Sequence, residues 1–410
     1  MLWGKPGGCG TFGAVQRLPT EHSMSQPFDA SRSLTAFEQE SAIIAVIEMS
    51  QSKWLVAAVV PGIERQPLKK LDADQQALLK LLHRWHIEAA QAGHRITRIV
   101  VAYEAGRDGF WLARWLRARN IEAYVMHPSS VAVSREHRRA KTDRLDTELL
   151  MRALLGWLRG ERRHCSMAAI PTVAEEDARR PNRERENLVV EQTRLVNRMK
   201  GMLARFGIRG FKLTLQHADK QIATLCTAEG TPLPKNTRAE LHRDIARLRV
   251  IRKQIGEIEQ QRSDRLKRAS DDRTHAMARL LARVIGIGVE TADMLVNEIL
   301  ARKLRDRRAV ARYAGLTGAP DESGRRRREK GLARAGNARV RRGMIQLAWR
   351  FLMFQKDSAL AQWYQARTQD RRSGTRKTMI VALARKLLVA LWRMVTTGEI
   401  PQAVALRPAA

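Results

Sequence analysis

The chain has 410 residues, with 75 Lys plus Arg against 42 Asp plus Glu and a formal net charge of +33. A surplus of that size repels itself in the folded state and is relieved by polyanions that release their counterions, which makes nucleic acid the leading partner class. The longest apolar stretch, "TMIVALARKLLVALWRMV" at 378 to 395, is interrupted by Arg385, Lys386 and Arg393 and reads as an amphipathic helix rather than a membrane span.

Residues 1–39 are expected to be a disordered N-terminal extension. The first 23 are Gly-rich, lack the continuous apolar core of a signal peptide, and precede Met24, which could itself be the start. The three cysteines, Cys9, Cys165 and Cys226, lie far apart, which argues against a disulfide scaffold or a zinc knuckle and fits a reducing cytosol.

From 40 to 165 the pattern is α/β. "SAIIAVIEMS" and "KWLVAAVV" read as strands, and the Pro-Gly that follows turns into a third. "LDADQQALLKLLHRWHIEAAQAG" has helical periodicity, "RITRIVVAYEAG" is a further apolar strand, "FWLARWLRARN" a helix and "IEAYVMHP" a last strand. Three meandering strands followed by alternating helices and strands are the order of a ribonuclease H-like fold.

Within this region Glu48 and Glu104 end two strands that are otherwise nearly all apolar. An ionised carboxylate buried there is costly unless paired or bound to a metal, although a strand-end acid can also face water. In "AKTDRLDTELL", Asp143 and Asp146 stand three apart. On a helix that spacing puts them on one face about 5–6 Å apart, where they repel by roughly 3 kcal/mol at an effective dielectric of 20. Neighbouring cations or solvent can offset this. Four such acids converging on one point would instead suit a hard cation, chiefly Mg²⁺. Arg138, Arg139 and Lys141 beside the pair could steer a nucleic acid toward it.

Residues 166–277 read as a helical coiled-coil linker. Leu188, Gln192, Leu195, Met199, Met202 and Phe206 form a seam, and a second helix carries Ile245, Leu248, Ile251, Ile255 and Ile258. Whether the two helices pair with each other or with a second chain is open at this level.

From 278 to 400 the chain is expected to be mostly helical, with 401–410 a tail. "LARVIGIGVETADMLVNEI" has the arrangement of a helix-hairpin-helix, in which turn amides near Gly286 and Gly288 could reach a phosphate. In "YAGLTGAPDESGRRRREKGLARAGNARVRRG", Ser323 precedes Gly324 and the run Arg325, Arg326, Arg327 and Arg328. This reads either as an Arg-rich loop that grips phosphates or as the site of a serine nucleophile, which needs a base, a metal or a charge-stabilising setting. Lys330, Arg334, Asn337, Arg339, Arg341 and Arg342 continue the candidate nucleic-acid surface. Trp111, Trp115 and Trp349 fall on helical stretches and are expected in the core.

The strand-end acids, the "KTDRLD" pair and the C-terminal block together resemble the DEDD transposases of the IS110 insertion-sequence family, over roughly residues 40 to 395. The resemblance implies a RuvC-like domain in which Glu48, Glu104, Asp143 and Asp146 hold Mg²⁺, two ions per site, and a serine nucleophile at Ser323. It further implies a phosphoserine link to DNA, strand exchange between element ends and target, a non-coding bridge RNA that pairs with both DNAs, and a homo-oligomer, dimer or tetramer, built on the coiled coil. The implied location is the bacterial cytoplasm, at the nucleoid. One position departs: the family's first acid is usually aspartate, and here it is Glu48. A RuvC-type nuclease without serine catalysis, and a non-catalytic nucleic-acid-binding protein, remain open as alternatives.

Overall fold

The computed structural model describes residues 39–64, 66–131, 143–162, 164–213, 217–268, 272–323, 326–333, 335–369 and 373–408. The chain divides into two compact units, Met1–Ile170 and Pro171–Ala410.

The first unit is built on strands β1 (Ala42–Met49), β2 (Lys53–Val59) and β3 (Leu68–Asp72), helix α1 (Gln75–Gln91), β4 (Arg98–Glu104), α2 (Trp111–Arg117), β5 (Glu122–Met126) and α3 (Asp143–Leu158). The sheet order is β3-β2-β1-β4-β5. The first three strands are antiparallel, and β1, β4 and β5 are parallel. This mixed sheet is consistent with a ribonuclease H-like domain.

β1 is central and covered on both faces, which is why its sequence is continuously apolar rather than alternating. Ile43, Ala45 and Ile47 pack with Leu78, Leu82 and Trp85 of α1 and with Leu112 and Leu116 of α2. Ile44 and Val46 pack on the opposite face with Leu150, Met151 and Leu154 of α3. Asp74 caps α1 by accepting from the Ala77 amide at 2.8 Å.

The second unit contains α4 (Val173–Asp177), α5 (Arg180–Ala204), α6 (Ala218–Ile222), α7 (Lys235–Lys267), α8 (Arg273–Ala282) and α9 (Val289–Leu295). A π turn at Val296–Leu300 follows, then α10 (Arg307–Tyr313), strands β6 (Gly318–Ser323) and β7 (Arg326–Leu332), α11 (Ala338–Phe354), α12 (Ala359–Arg367) and α13 (Ser373–Thr397). The core of this unit joins α8, α9, α11 and α13 through residues such as Leu281, Leu295, Met344, Phe351 and Leu387. No helix among the described residues is long and apolar enough to cross a membrane.

α5 and α7 form a helical arm, and α7, with 33 residues, is about 50 Å long. The question left open by the seam is answered within the chain: Leu195, Met199 and Leu203 pack on Leu241, Ile245 and Leu248, with Ile222 and Leu233 closing the end. Arg198 donates to Asp244 through Nε at 3.0 Å and Nη2 at 2.6 Å, tying the same two helices.

Two local expectations are corrected. The segment read as an Arg-rich loop forms an antiparallel hairpin, β6 with β7, in which Ser323 pairs with Arg326. A two-residue connection beginning with glycine is a hairpin signal that the charge run obscured. Trp349 lies outside the core, 46% exposed, with its ring edge-on to Tyr364 at 6.4 Å between centroids. Cys165 is buried and Cys226 exposed, and both are free thiols.

Met199 is fully buried in the arm. Met199→Ala is expected to destabilise the second unit by about 2–4 kcal/mol. Urea unfolding should show the loss, and an unchanged midpoint would mean that the α5–α7 packing is not a cooperative part of the fold.

Candidate active site

Side chains alternate faces along a strand, so Glu48 lies on the side of β1 that carries Ile44 and Val46, and Glu104 on the side of β4 that carries Val100 and Ala102. All four apolar residues belong to the cluster packed against α3. The register pairs Ile47 with Tyr103 in parallel, so Glu48 and Glu104 occupy equivalent positions at adjacent strand ends. Both line one pocket, together with Ser50, Gln51, Tyr103, Arg107 and Asp108. Glu104 is exposed and Glu48 half-buried, so neither carries the full cost of burial considered from the sequence.

Asp143 opens α3 and Asp146 follows in its first turn, half-buried. The two acids on the sheet and the pair on α3 therefore belong to elements that pack on one another. Arg138, Arg139 and Lys141 lie outside the described residues.

The pocket wall is held by Tyr103, which sequence reasoning passed over. Its hydroxyl donates to the Gly109 carbonyl at 3.1 Å and accepts from the Ala113 amide at 3.2 Å, joining the loop after β4 to the start of α2. Burial pushes its phenol up to about 12, so it stays a neutral donor at any working pH. The pocket offers hard carboxylate oxygens, the donor type that Mg²⁺ takes, and Mg²⁺ asks for only one or two carboxylates when substrate phosphate supplies the rest. No group of three or more His, Cys, Asp or Glu with metal-holding geometry occurs among the described residues.

In the second unit, Ser323 is the last residue of β6, at the tip of the hairpin. Arg326, Arg327, Arg328 and Lys330 lie on β7, whereas Arg325 and Arg334 fall outside the described residues. The base of the hairpin is closely packed backbone. Gly336, with φ +89°, has no room for a side chain: a Cβ would sit 2.6 Å from the carbonyl oxygens of Arg312 and Tyr313. Gly315, at φ +67°, is blocked in the same way by the Ala335 carbonyl.

The residues after the hairpin are committed to internal contacts. Asn337 caps α11, accepting from the amides of Arg339 at 3.0 Å and Val340 at 3.3 Å. Arg339 donates to Glu186 of α5 at 2.6 Å, Arg342 reaches the same carboxylate, and Arg341 donates to the Ala335 carbonyl at 3.4 Å. Between α8 and α9, Gly286 is buried against Phe354, and Gly288 is exposed. Two of the turn amides are already used: Ile285 donates to Ala405 and Ile287 to Val284.

Two buried carboxylates that sequence reasoning missed organise this unit. Asp293 accepts from Asn182 at 2.8 Å and Arg265 at 3.2 Å, and pairs with buried Arg262 at 3.3 Å. Glu298, 1% exposed, accepts from Arg183 Nε at 2.9 Å and Nη2 at 3.2 Å, and from Asn337 Nδ2 at 2.9 Å. In a regular α-helix residues five apart point about 140° away from each other. The π turn, marked by the Ala301 amide donating to Val296, brings positions five apart toward one side.

Burial works to raise the Glu298 pKa. The Arg183 and Asn337 hydrogen bonds and the Arg183 and Arg179 charges outweigh it and hold the carboxyl below its ordinary value.

Residues 35–208 match a family model described as a transposase of the DEDD type, and residues 278–365 match the model of the transposase IS116/IS110/IS902 family. The chain is 40% identical over 377 residues to "Putative transposase y4rJ" of Sinorhizobium fredii, covering 89% of this chain and 95% of that protein.

A carboxyl with a depressed pKa stabilises the fold fully above its unfolded pKa, near 4.5, and loses that contribution as pH falls through its folded value. Glu298→Gln is therefore expected to cost about 1.5–3 kcal/mol at pH 7. The gap in thermal midpoint between the two proteins should close as pH falls below about 4.5. A gap that stays constant into the acid range would show that the Glu298 charge does not matter.

Proposed function

The chain belongs to the IS116/IS110/IS902 family of transposases, and on that premise we propose that it cuts and rejoins insertion-sequence DNA through a phosphoserine link at Ser323. Glu48, Glu104, Asp143 and Asp146 are the residues we assign to Mg²⁺. The observation that supports this assignment is that Glu48 and Glu104 end adjacent parallel strands on the sheet face against which α3, the helix of Asp143 and Asp146, packs.

When bound, Mg²⁺ supplies positive charge that favours ionisation of a nucleophile and stabilises the oxygens of a phosphoryl transfer. The chain's own part begins with holding the scissile phosphate. The hairpin presents Ser323 beside the backbone positions of Arg326, Arg327 and Arg328, a concentration of cationic residue types suited to a phosphodiester. The Ser323 Oγ forms a bond to phosphorus as one P–O bond of the DNA breaks, the serine proton passes to a base, and the departing deoxyribose oxygen takes up a proton. The link is itself a phosphodiester, so attack by the hydroxyl of a partner strand reverses the step without an energy source and joins a new end.

Sequence choice rests, in this reading, on a bridge RNA that pairs with element and target, and the helical arm joins copies of the chain into a dimer or tetramer. Large net positive charge accommodates both nucleic acids.

Purified protein with its co-purifying RNA, element-end and target DNA and Mg²⁺ should give a covalent adduct on a denaturing gel. Ser323→Ala should reduce it by a factor of about a thousand or more while leaving DNA binding intact. Asp146→Ala and chelation should also abolish it. Mg²⁺-dependent nicking that survives Ser323→Ala and is lost with Asp146→Ala would establish a RuvC-type nuclease instead, and binding with no product would establish a non-catalytic protein.

A further inference from the structure

We propose that Glu298 and Asn337 are positioning residues for the Ser323 hairpin, and that through them the hairpin is registered to the helical arm. The inference deepens the serine reading above and rests on it for its catalytic consequence.

The hairpin leaves the helical core after Tyr313 and returns before α11, so its aim depends on where residues 313–317 cross residues 333–337. That crossing is fixed by backbone. The Asn337 amide donates to Tyr313 at 2.7 Å and the Ala333 amide to Thr317 at 3.1 Å. Gly315 and Gly336 let the two segments approach more closely than any side chain would permit.

Asn337 is the only described residue in this crossing whose side chain reaches outside it to the π turn. Its Oδ1 caps α11, and its Nδ2 donates to Glu298. Glu298 in turn is gripped in a fork by Arg183 of α5. A single buried carboxylate thus joins the arm, the π turn and the return leg of the hairpin. Nothing in helix stability requires this third link: serine or aspartate would cap α11 as well as asparagine does. What asparagine adds is a donor, which only a partner such as Glu298 uses. π turns frequently occur at functional sites, and here Glu298 accepts from Asn337 from within one.

The test separates capping from positioning. Asn337→Ser keeps a cap acceptor and removes the donor to Glu298. The expected result is a thermal midpoint within a few degrees of wild type, unchanged Kd for element-end DNA, a covalent-adduct rate at least tenfold lower, and faster amide exchange in 318–332. Glu298→Gln leaves one acceptor oxygen where Arg183 and Asn337 now share two, so it should also lose exchange protection in 318–332 and at least tenfold in adduct rate, and wild-type exchange and rate in that variant would equally overturn the proposal. An Asn337→Ser protein with wild-type adduct rate and wild-type exchange overturns the proposal, as does a rate loss with unaltered exchange. If no adduct forms even in wild type, the serine reading fails, but the exchange measurement still decides whether Glu298 and Asn337 hold the hairpin.

Discussion

Burying a carboxylate in a helical core is tolerable only if donors gather round its charged form, and the second unit is arranged around two that collect several. Asp293 and Glu298 stand on one short helical segment and collect Asn182, Arg183, Arg262, Arg265 and Asn337 from three other helical elements or their caps. Apolar packing gives this unit its stability, and the bonds to these carboxylates add direction to it. Directional bonds to a buried charge resist displacement, because a displaced partner leaves an ion without its donors. The arm, the turn region before α10 and the return from the serine hairpin therefore share one reference point.

The first unit uses a different device. Glu48 and Glu104 sit at the ends of strands whose interiors are held by apolar residues, so the sheet fixes the two carboxylates at the edge of one pocket. Tyr103 extends that rigidity into the loop beside Glu104 through two hydrogen bonds made by one buried hydroxyl.

Much of this was legible in the sequence for physical reasons. A strand buried on both faces must be continuously apolar, so β1 could be read directly and the acid that ends it stood out. The arm helices were visible from their spacing, although periodicity says that a helix has an apolar stripe and not what covers it, and only the structure pairs Met199 with the α7 stripe inside the chain. Asp293 and Glu298 were not legible, because carboxylates five residues apart point to different sides of a regular helix and read as separate solvated residues unless a π turn is known to be there. Asn337 was read as a nucleic-acid contact from the basic run around it, and its bonds to the α11 amides and to Glu298 had no signal in the sequence. The hairpin at 318–332 was hidden by a charge run of low strand propensity.

The proposed function turns on one chemical event, the transfer of a DNA phosphate to the oxygen of Ser323. Its most direct measurement is to digest the covalent protein–DNA species with nuclease and protease and to locate the nucleotide remnant by mass spectrometry. The expected result is a remnant on Ser323 that forms only with Mg²⁺ present. A remnant on any other residue, or efficient DNA cleavage that leaves no remnant on the protein, would contradict it.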